Sequence, residues 1–359
     1  MADHMPAPAF LRRFFPRARR GNTPGHGVGD TVGKSATVGT TTSAVLPSGI
    51  LPSGLPMATQ DGPALARALA ARMPALIMTA RRIAQAVQQG GHARRRAGSG
   101  ENFWQYRPAQ PGEAASRIDW RQSARGERPF VRENEAQTAQ TIFIWCDNSS
   151  SMNWHSSDTL PSKAESALVL ALALAAILLR QGERVRLLGA DGATVTAISG
   201  NGGLERMAIV LIDAMRRPSS PATLPQAGHL ARNGRLVLLG DGLYDPAAFS
   251  GLLRAALARQ VRTSLIEVID PAERDMPYSG RTRFMGLEDE APLTLSAGTD
   301  LRTAYRAAFT QHQQQLSDLC RAGGNAMITQ TTDQPPERAL LALHAQLAAA
   351  HHTGGGIRA

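Results

Sequence analysis

The sequence has little cysteine. Its 359 residues include only Cys146 and Cys320, which is too few for a disulfide framework or a cysteine-based zinc cluster. Both lie among apolar neighbours, so we predict two small buried hydrophobic side chains. The missing disulfide framework is typical of a reducing compartment.

Long uninterrupted apolar runs are also missing. No stretch reaches the roughly 20 apolar residues that span a membrane. Two arginines at positions 12 and 13 resemble an export signal, but no apolar segment follows them, and we expect no signal peptide. We therefore expect a cytoplasmic protein. Residues 62 to 89 show helical spacing interrupted by arginines. We expect this helix to dock on the protein itself, with a membrane-peripheral helix as the alternative.

Acidic residues are outnumbered by basic ones, 29 to 39, which gives a formal charge of +10. A basic excess favours acidic partners such as nucleic acid or an anionic membrane surface. Much of the excess lies on flanks and at residues 94–96, where solvated surface is the alternative explanation. The basic residues near the start are Arg12, Arg13, Arg17, Arg19 and Arg20.

Composition divides the chain into four parts. Residues 1–60 are rich in Gly, Pro, Thr and Ser without any period, which predicts a disordered tail; Met57 is an alternative start. Residues 61–135 hold the first helix and a block rich in arginine and aromatic residues. Residues 136–350 alternate strands with helices, and residues 351–359 are expected to form a flexible tail.

The block at residues 90–135 interleaves arginines with Phe, Trp and Tyr. Stacking rings beside phosphate-binding arginines are typical of a nucleic-acid surface. The alternative is a small folded subdomain in which arginines pair with Glu101, Glu113, Asp119 and Glu133. We favour the subdomain, because interspersed carboxylates would repel phosphate.

Strands and helices alternate from residue 141 onward. The stretch 141–146 is apolar and rich in β-branched and aromatic residues, and residues 235–240 are largely apolar. Both stretches predict buried strands. Residues 184–189 and 194–198 predict a hairpin at Asp191-Gly192. The alternation predicts an α/β fold with a doubly wound, mostly parallel sheet, helices on both faces, and a small N-terminal appended segment.

Polar side chains follow two of the predicted strands. Asp147, Ser149 and Ser151 come directly after the first, and Asp241 comes after the second. Parallel sheets bind ligands beyond the carboxyl ends of their strands, where strand order reverses. If the two strands are neighbours there, the four side chains converge as hard oxygen ligands suited to a cation of magnesium size. The alternative is a polar turn that caps the next helix.

The pattern Asp147-x-Ser149-x-Ser151, followed later by Asp241, resembles the metal-ion-dependent adhesion site of von Willebrand factor A domains. The upstream block resembles the signature of the bacterial domain-of-unknown-function-58 family, and the likeness runs from about residue 75 to about residue 348. The stretches that carry it are Gly98-x-Gly100-Glu101, Phe103-Trp-Gln-Tyr-Arg107, Gln110-Pro-Gly112, Arg117-Ile-Asp-Trp120, Ala124-Arg125 and Phe130-Val-Arg-Glu133.

This resemblance implies a von Willebrand factor A-like domain that binds a protein partner through Mg²⁺ or Mn²⁺. Ser149 and Ser151 would bind the cation directly, Asp147 and Asp241 directly or through water, and the partner would supply a Glu or Asp. Family members are associated with MoxR-type AAA+ ATPases in the assembly or activation of other proteins, so we expect such a partner.

One departure from the adhesion-site pattern concerns a threonine. The adhesion site usually has a Thr in the loop after the third strand, but the matching residues 200–203 read Gly-Asn-Gly-Gly. The site is therefore weak, vestigial, or completed by Asn201.

We expect a non-enzymatic protein-binding module with no catalytic residue. A metal-dependent hydrolase using Asp147 and Asp241, with His155 as a base, is one alternative. The sequence has neither a nucleophile elbow nor a phosphate-binding glycine loop to support it. Nucleic-acid binding through the arginine and aromatic block is the other alternative.

Overall fold

The computed structural model describes residues 4–6, 62–94, 103–110, 114–124, 128–134, 139–219, 224–285, 293–297 and 299–349. Apart from residues 4–6, the predicted N-terminal tail lies outside this part, as does the predicted C-terminal tail. In the described part of the chain, no helix has the length and hydropathy needed to span a membrane.

The described elements follow the alternation that the sequence predicts. In chain order they are β1 (His4–Pro6), α1 (Gly62–Arg94), β2 (Phe103–Pro108), α2 (Trp120–Ser123), β3 (Phe130–Asn134), β4 (Thr141–Cys146), α3 (Lys163–Arg180), β5 (Arg184–Leu188), β6 (Val195–Ile198), α4 (Gly203–Ala214), β7 (Arg235–Gly240), α5 (Pro246–Ala258), β8 (Arg262–Ile269), α6 (Pro271–Asp275), β9 (Gly280–Met285), β10 (Leu293–Ala297), α7 (Thr299–Ala322), β11 (Ala326–Thr331) and α8 (Glu337–Ala349).

The central sheet has the strand order β11-β8-β7-β4-β5-β6. Its neighbours pair in parallel, except for the antiparallel hairpin of β5 and β6. The chain winds outward from β4 to β6 and then returns through β7 to β11. Strand order therefore reverses between β4 and β7, which confirms the predicted doubly wound, mostly parallel sheet.

Helices cover both faces of this sheet, because successive side chains of a strand point to opposite sides. Ile144 of β4 packs in the core formed with α1, α3, α4 and α8. Trp145 packs in the core formed with α5 and α7. Cys146 and Cys320 are buried and free, one in each core, as predicted.

Helix α3 is apolar on nearly all sides because α1 lies across its outer surface. The two helices share one core, and Arg72 Nη2 lies 2.8 Å from Glu165 Oε1. Ser162 caps α3 by accepting a hydrogen bond from the Glu165 backbone N–H at 3.1 Å. The prediction that the first helix docks on the protein itself is confirmed.

Two smaller sheets complete the described part. β2 pairs antiparallel with β3, and β9 lies between β1 and β10. Asp119 caps α2 and accepts a hydrogen bond from Tyr106 Oη at 3.2 Å. These contacts agree with the folded subdomain favoured above. Glu101 and Glu113 lie outside the described residues, so their pairing stays a prediction.

Candidate functional site

The two predicted carboxylates lie at the carboxyl ends of adjacent strands. β4 and β7 pair so that Cys146 is opposite Leu239, and the Asp147 backbone N–H donates to the Leu239 carbonyl at 2.8 Å. Asp147 and Asp241 therefore leave neighbouring strands at the point where strand order reverses, which is where open α/β sheets bind ligands.

A chain of hydrogen bonds joins the predicted site residues. Ser151 Oγ donates to Asp241 Oδ2 at 2.6 Å, and Ser149 Oγ lies 3.0 Å from Ser151 Oγ. The Ser149 backbone N–H donates to Asp147 Oδ1 at 2.8 Å. All four side chains are buried, with at most 4% of any residue exposed. The structure thus brings together the four predicted ligands, Asp147, Ser149, Ser151 and Asp241.

One oxygen of this group lies beside a buried tyrosine. Asp147 Oδ2 and Tyr244 Oη are both buried, and the tyrosine hydroxyl interacts with the Asp147 carboxylate. Burial raises the pKa of Asp147 to about 7, and the nearby negative charge of Asp241 adds to the effect. Burial, followed by the charges of Asp147 and Asp241, raises the pKa of Tyr244 as well.

Gly240 makes this close arrangement possible. A Cβ atom at this position would lie 2.8 Å from Asp147 Cβ and 3.0 Å from Asp147 Oδ2, and would also clash with the Tyr244 hydroxyl. We predict that Gly240→Ala lowers the free energy of unfolding by about 1–3 kcal/mol, because overpacking forces neighbouring groups to move. Urea unfolding followed by circular dichroism measures the change.

Gly251→Ala is the matched control for this substitution. Gly251 lies inside α5, and a Cβ atom added there would have no neighbour within 4 Å among the described residues. Alanine there should stabilise the protein by about 0.5–1 kcal/mol through helix propensity. Equal effects of the two substitutions would show that Gly240 is not under steric constraint.

A buried lysine contacts the same site. Lys163 is the first residue of α3 and is completely buried; its Nζ lies 3.1 Å from Asp241 Oδ2 and 2.6 Å from Glu273 Oε1. Burial by itself lowers the pKa of Lys163, but the charges of Asp241 and Glu273 outweigh it, and the net pKa is raised. Lys163 is therefore charged at neutral pH.

The lysine in turn lowers the pKa of Asp241. Burial tends to raise the pKa of Asp241, but the charge of Lys163 and the hydrogen bond from Ser151 lower it below its usual value. Glu273 is held on its other side, where Glu273 Oε2 accepts from the Asp270 backbone N–H at 3.0 Å. Burial raises the pKa of Glu273. The site thus combines one ion-paired carboxylate, Asp241, with one unpaired carboxylate, Asp147.

Three residues of the site, Lys163, Glu273 and Tyr244, were not predicted from the sequence. One feature of the sequence could have marked Lys163 as unusual. Of the chain's 39 basic residues only Lys34 and Lys163 are lysines, and Lys163 begins the most apolar helix. Glu273 and Tyr244 carry no comparable signal, because their positions depend on how distant segments meet.

Of the three alternatives for the missing threonine, completion of the site by Asn201 is wrong. β6 runs antiparallel to β5, so the loop after β6 lies at the amino ends of the parallel strands. That loop lies near Leu179 and Arg180 at the end of α3, whereas Lys163 at its start contacts Asp241. A helix of 18 residues is about 27 Å long, which separates Asn201 from the site.

The chain after α4 lies against the site instead. Ser219 Oγ donates to Asn148 Oδ1 at 3.1 Å, and Asn148 Nδ2 donates to the Arg217 carbonyl at 3.3 Å. The Ser150 backbone N–H donates to the Ser219 carbonyl at 3.3 Å. The Asp-x-Ser-x-Ser loop is therefore clamped on one side by residues 214–219.

His155, the base of the hydrolase alternative, is engaged elsewhere. Its Nδ1 lies 2.9 Å from the Ser157 carbonyl oxygen. Among the hydrogen bonds of the described residues, none joins His155 to Asp147 or Asp241.

The oxygen atoms at this edge of the sheet fit a hard divalent cation. Asp147 offers a buried carboxylate, and a chain of hydrogen bonds links it through two serines to Asp241. Such ligands suit Mg²⁺ or Mn²⁺. The described part of the chain holds no group of three or more His, Cys, Asp or Glu side chains arranged for a metal, so the hydroxyls are needed to complete the set.

The family model described as "Protein of unknown function DUF58" matches residues 105–315. The chain belongs to this family. This DUF58 protein is 26% identical over 277 residues to the uncharacterized protein Rv1480 of Mycobacterium tuberculosis, over 74% of this chain and 86% of that protein. The figures are the same for the uncharacterized protein Mb1516 of Mycobacterium bovis.

Solved structures similar to this DUF58 protein include BatB from Bacteroides thetaiotaomicron, with 13% identity, a TM-score of 0.33, and coverage of 59% of this chain and 100% of that one. The SpRpn10 VWA domain follows at 11% identity and a TM-score of 0.27, covering 58% and 95%. These scores carry little weight by themselves. The strand order and the antiparallel edge strand agree with the von Willebrand factor A-like sheet that the sequence predicts.

Proposed function

We propose that this DUF58 protein is a non-enzymatic protein-binding module that acts through Mg²⁺ or Mn²⁺ held by Asp147, Ser149, Ser151 and Asp241. The observation that carries the proposal is the convergence of these four buried side chains where strand order reverses. The von Willebrand factor A-like fold supports a protein-interaction role at the level of fold alone.

The bound cation would supply positive charge for an acidic side chain of the partner. The chain's own residues position the ligands. The Ser149 backbone N–H orients Asp147, and the Ser151 hydroxyl orients Asp241. Such supporting hydrogen bonds fix the direction of ligand oxygens and tune their affinity. Burial strengthens each electrostatic interaction, because little water is present to screen it.

The proposal predicts that divalent cations stabilise the protein against heat. At a Mg²⁺ or Mn²⁺ concentration a hundredfold above the dissociation constant, the free energy of unfolding should rise by about 2.7 kcal/mol. Asp147→Asn keeps the shape of the side chain but removes its charge, and should abolish the rise. Thermal unfolding of the full chain across a metal titration measures both.

Asp213→Asn is the matched control. Its side chain is 75% exposed on α4, so this variant should keep the full response to the metal. A rise that is the same in wild type and Asp147→Asn would refute the proposed site. A wild type without any metal response would refute cation binding by the free protein.

The partner is proposed to be a MoxR-type AAA+ ATPase that offers a Glu or Asp to the cation. This rests on the family resemblance. Co-purification of the two proteins should require Mg²⁺, and should be lost with EDTA or with Asp147→Asn. Co-purification that survives both treatments would assign the interface to another surface.

A further inference from the structure

Asp241 Oδ2 already has a cation beside it, and that cation belongs to the chain. Lys163 Nζ lies 3.1 Å from this oxygen, and the oxygen also accepts the Ser151 hydroxyl at 2.6 Å. Lys163 is fully buried, so neither solvent nor salt screens its charge. The ammonium group thus lies against a carboxylate that the proposed function assigns to a divalent cation.

The position of the ammonium group is fixed from several directions. Ser162 caps α3 directly before it, and the Lys163 backbone N–H donates to the Trp154 carbonyl at 3.3 Å. Glu273 Oε1 holds the ammonium group at 2.6 Å. Glu273 is itself fixed, because its side chain completes the capping box of α6 with Asp270. Lys163 is therefore held next to Asp241 by a second carboxylate that is itself fixed.

The residue that contacts both carboxylates is a lysine and not an arginine. The chain uses arginine almost everywhere, and Lys163 is one of two lysines among 39 basic residues. An ammonium group is a compact point charge, whereas a guanidinium group is a wide planar fork. The compact group contacts both carboxylates with a single nitrogen.

We propose that Lys163 is an internal cation that sets the divalent-ion affinity of this site, weakening it by neutralising Asp241 and by repelling a second positive charge. The inference rests on the proposed function, because it concerns the same four ligands. It assigns a role in setting metal affinity to a residue outside the Asp-x-Ser-x-Ser pattern. Like charges that share one carboxylate in a buried space repel strongly.

The test compares Mn²⁺ binding, by isothermal titration calorimetry at pH 8, in the wild type and in Lys163→Met/Glu273→Gln. The double variant removes the ammonium group without leaving Glu273 charged and unpaired. Its Mn²⁺ affinity should be at least tenfold higher than that of the wild type. Lys163→Gln/Glu273→Gln, which retains polar contacts, replaces it if the first variant does not unfold cooperatively.

Glu273→Gln alone is the matched control, because it keeps the ammonium group and should bind Mn²⁺ no more tightly than the wild type. Adding Asp147→Asn to the double variant should abolish the gain, which ties it to this site. A wild type that binds Mn²⁺, with no tighter binding in the folded double variant, overturns the role of Lys163 and leaves the proposed function standing. Binding only in the double variant supports the role of Lys163 and refutes metal binding by the native chain. Absence of binding in both overturns both.

Discussion

Lys163→Met is expected to lower the free energy of unfolding by about 3–5 kcal/mol at pH 8. The substitution nearly preserves side-chain volume but removes the positive charge from between Asp241 and Glu273. Both carboxylates are buried, with 4% and 3% of their residues exposed. Their desolvation would no longer be offset by an ion pair. Urea unfolding of the wild type and the variant at one pH measures the difference.

A double-mutant cycle separates the lost charge from the lost packing. Lys163→Met/Glu273→Gln should be more stable than Lys163→Met alone, because one of the two unpaired carboxylates has been neutralised. If the double variant is no more stable than the single one, packing rather than charge explains the cost.

An exposed pair provides the control for this cycle. Arg81 and Glu205 lie 3.0 Å apart, but their side chains are 44% and 39% exposed. Arg81→Met should cost no more than about 1 kcal/mol, because water screens exposed ion pairs. A Lys163→Met effect as small as this would contradict the picture of a tightly coupled buried triad.

The sequence predicted two carboxylates at strand ends and made their convergence depend on whether the two strands are neighbours. An apolar strand that runs into Asp147, and a second that runs into Asp241, can be recognised without coordinates. Parallel strands place their carboxyl ends at one edge of a sheet, and β4 and β7 are neighbours in the structure. The local pattern places both carboxylates at strand ends, and the pairing of β4 with β7 brings them together.

The ion-pair partners were not predictable in this way. Lys163 is 78 residues before Asp241 and 110 before Glu273. Its rarity as a lysine marks it as unusual, but nothing in the sequence shows which carboxylates it meets. Its side chain is buried against Asp241 and Glu273, which come from segments far along the chain. Burial of this kind depends on tertiary packing, which hydrophobic periodicity does not specify.

The loop after the third strand was misplaced for a related reason. The sequence predicts the hairpin of β5 and β6, and the direction of β6 decides at which end of the sheet the next loop lies. An antiparallel strand returns the chain to the amino ends of the parallel strands. Residues 200–203 therefore cannot reach Asp147, which lies at their carboxyl ends. The segment that lies against the site, residues 214–219, lies one full helix later.

Stability is expected to fall as pH rises through the range of about 4.5 to 7, with Glu267 as a main cause. This residue of β8 lies beneath α7, and its Oε2 accepts hydrogen bonds from Gln313 Nε2 at 2.8 Å and from Thr329 Oγ1 at 2.9 Å. Burial raises the pKa of Glu267 from 4.5 to about 7, and the charges of Asp241 and Glu273 add to the effect.

The sign follows from which state holds the proton more tightly. Between pH 4.5 and 7 the folded protein keeps the Glu267 proton, whereas the unfolded chain has lost it. Raising the pH therefore favours unfolding, until both states are ionised above about pH 7. A shift of this size corresponds to about 3 kcal/mol at most. Asp147 contributes in the same direction, since its pKa is also raised to about 7.

Glu267→Gln isolates the contribution of this one carboxyl group. The amide is neutral at all pH values and can still accept the hydrogen bonds from Gln313 and Thr329. The variant should match the wild type near pH 4.5 and exceed its stability by up to about 3 kcal/mol at pH 8. Urea unfolding at several pH values measures this difference, and Asp147 affects both proteins alike. Asp213→Asn, an exposed carboxylate, should show no comparable trend. A Glu267→Gln protein that is less stable than the wild type at pH 8 would mean that ionised Glu267 stabilises the fold.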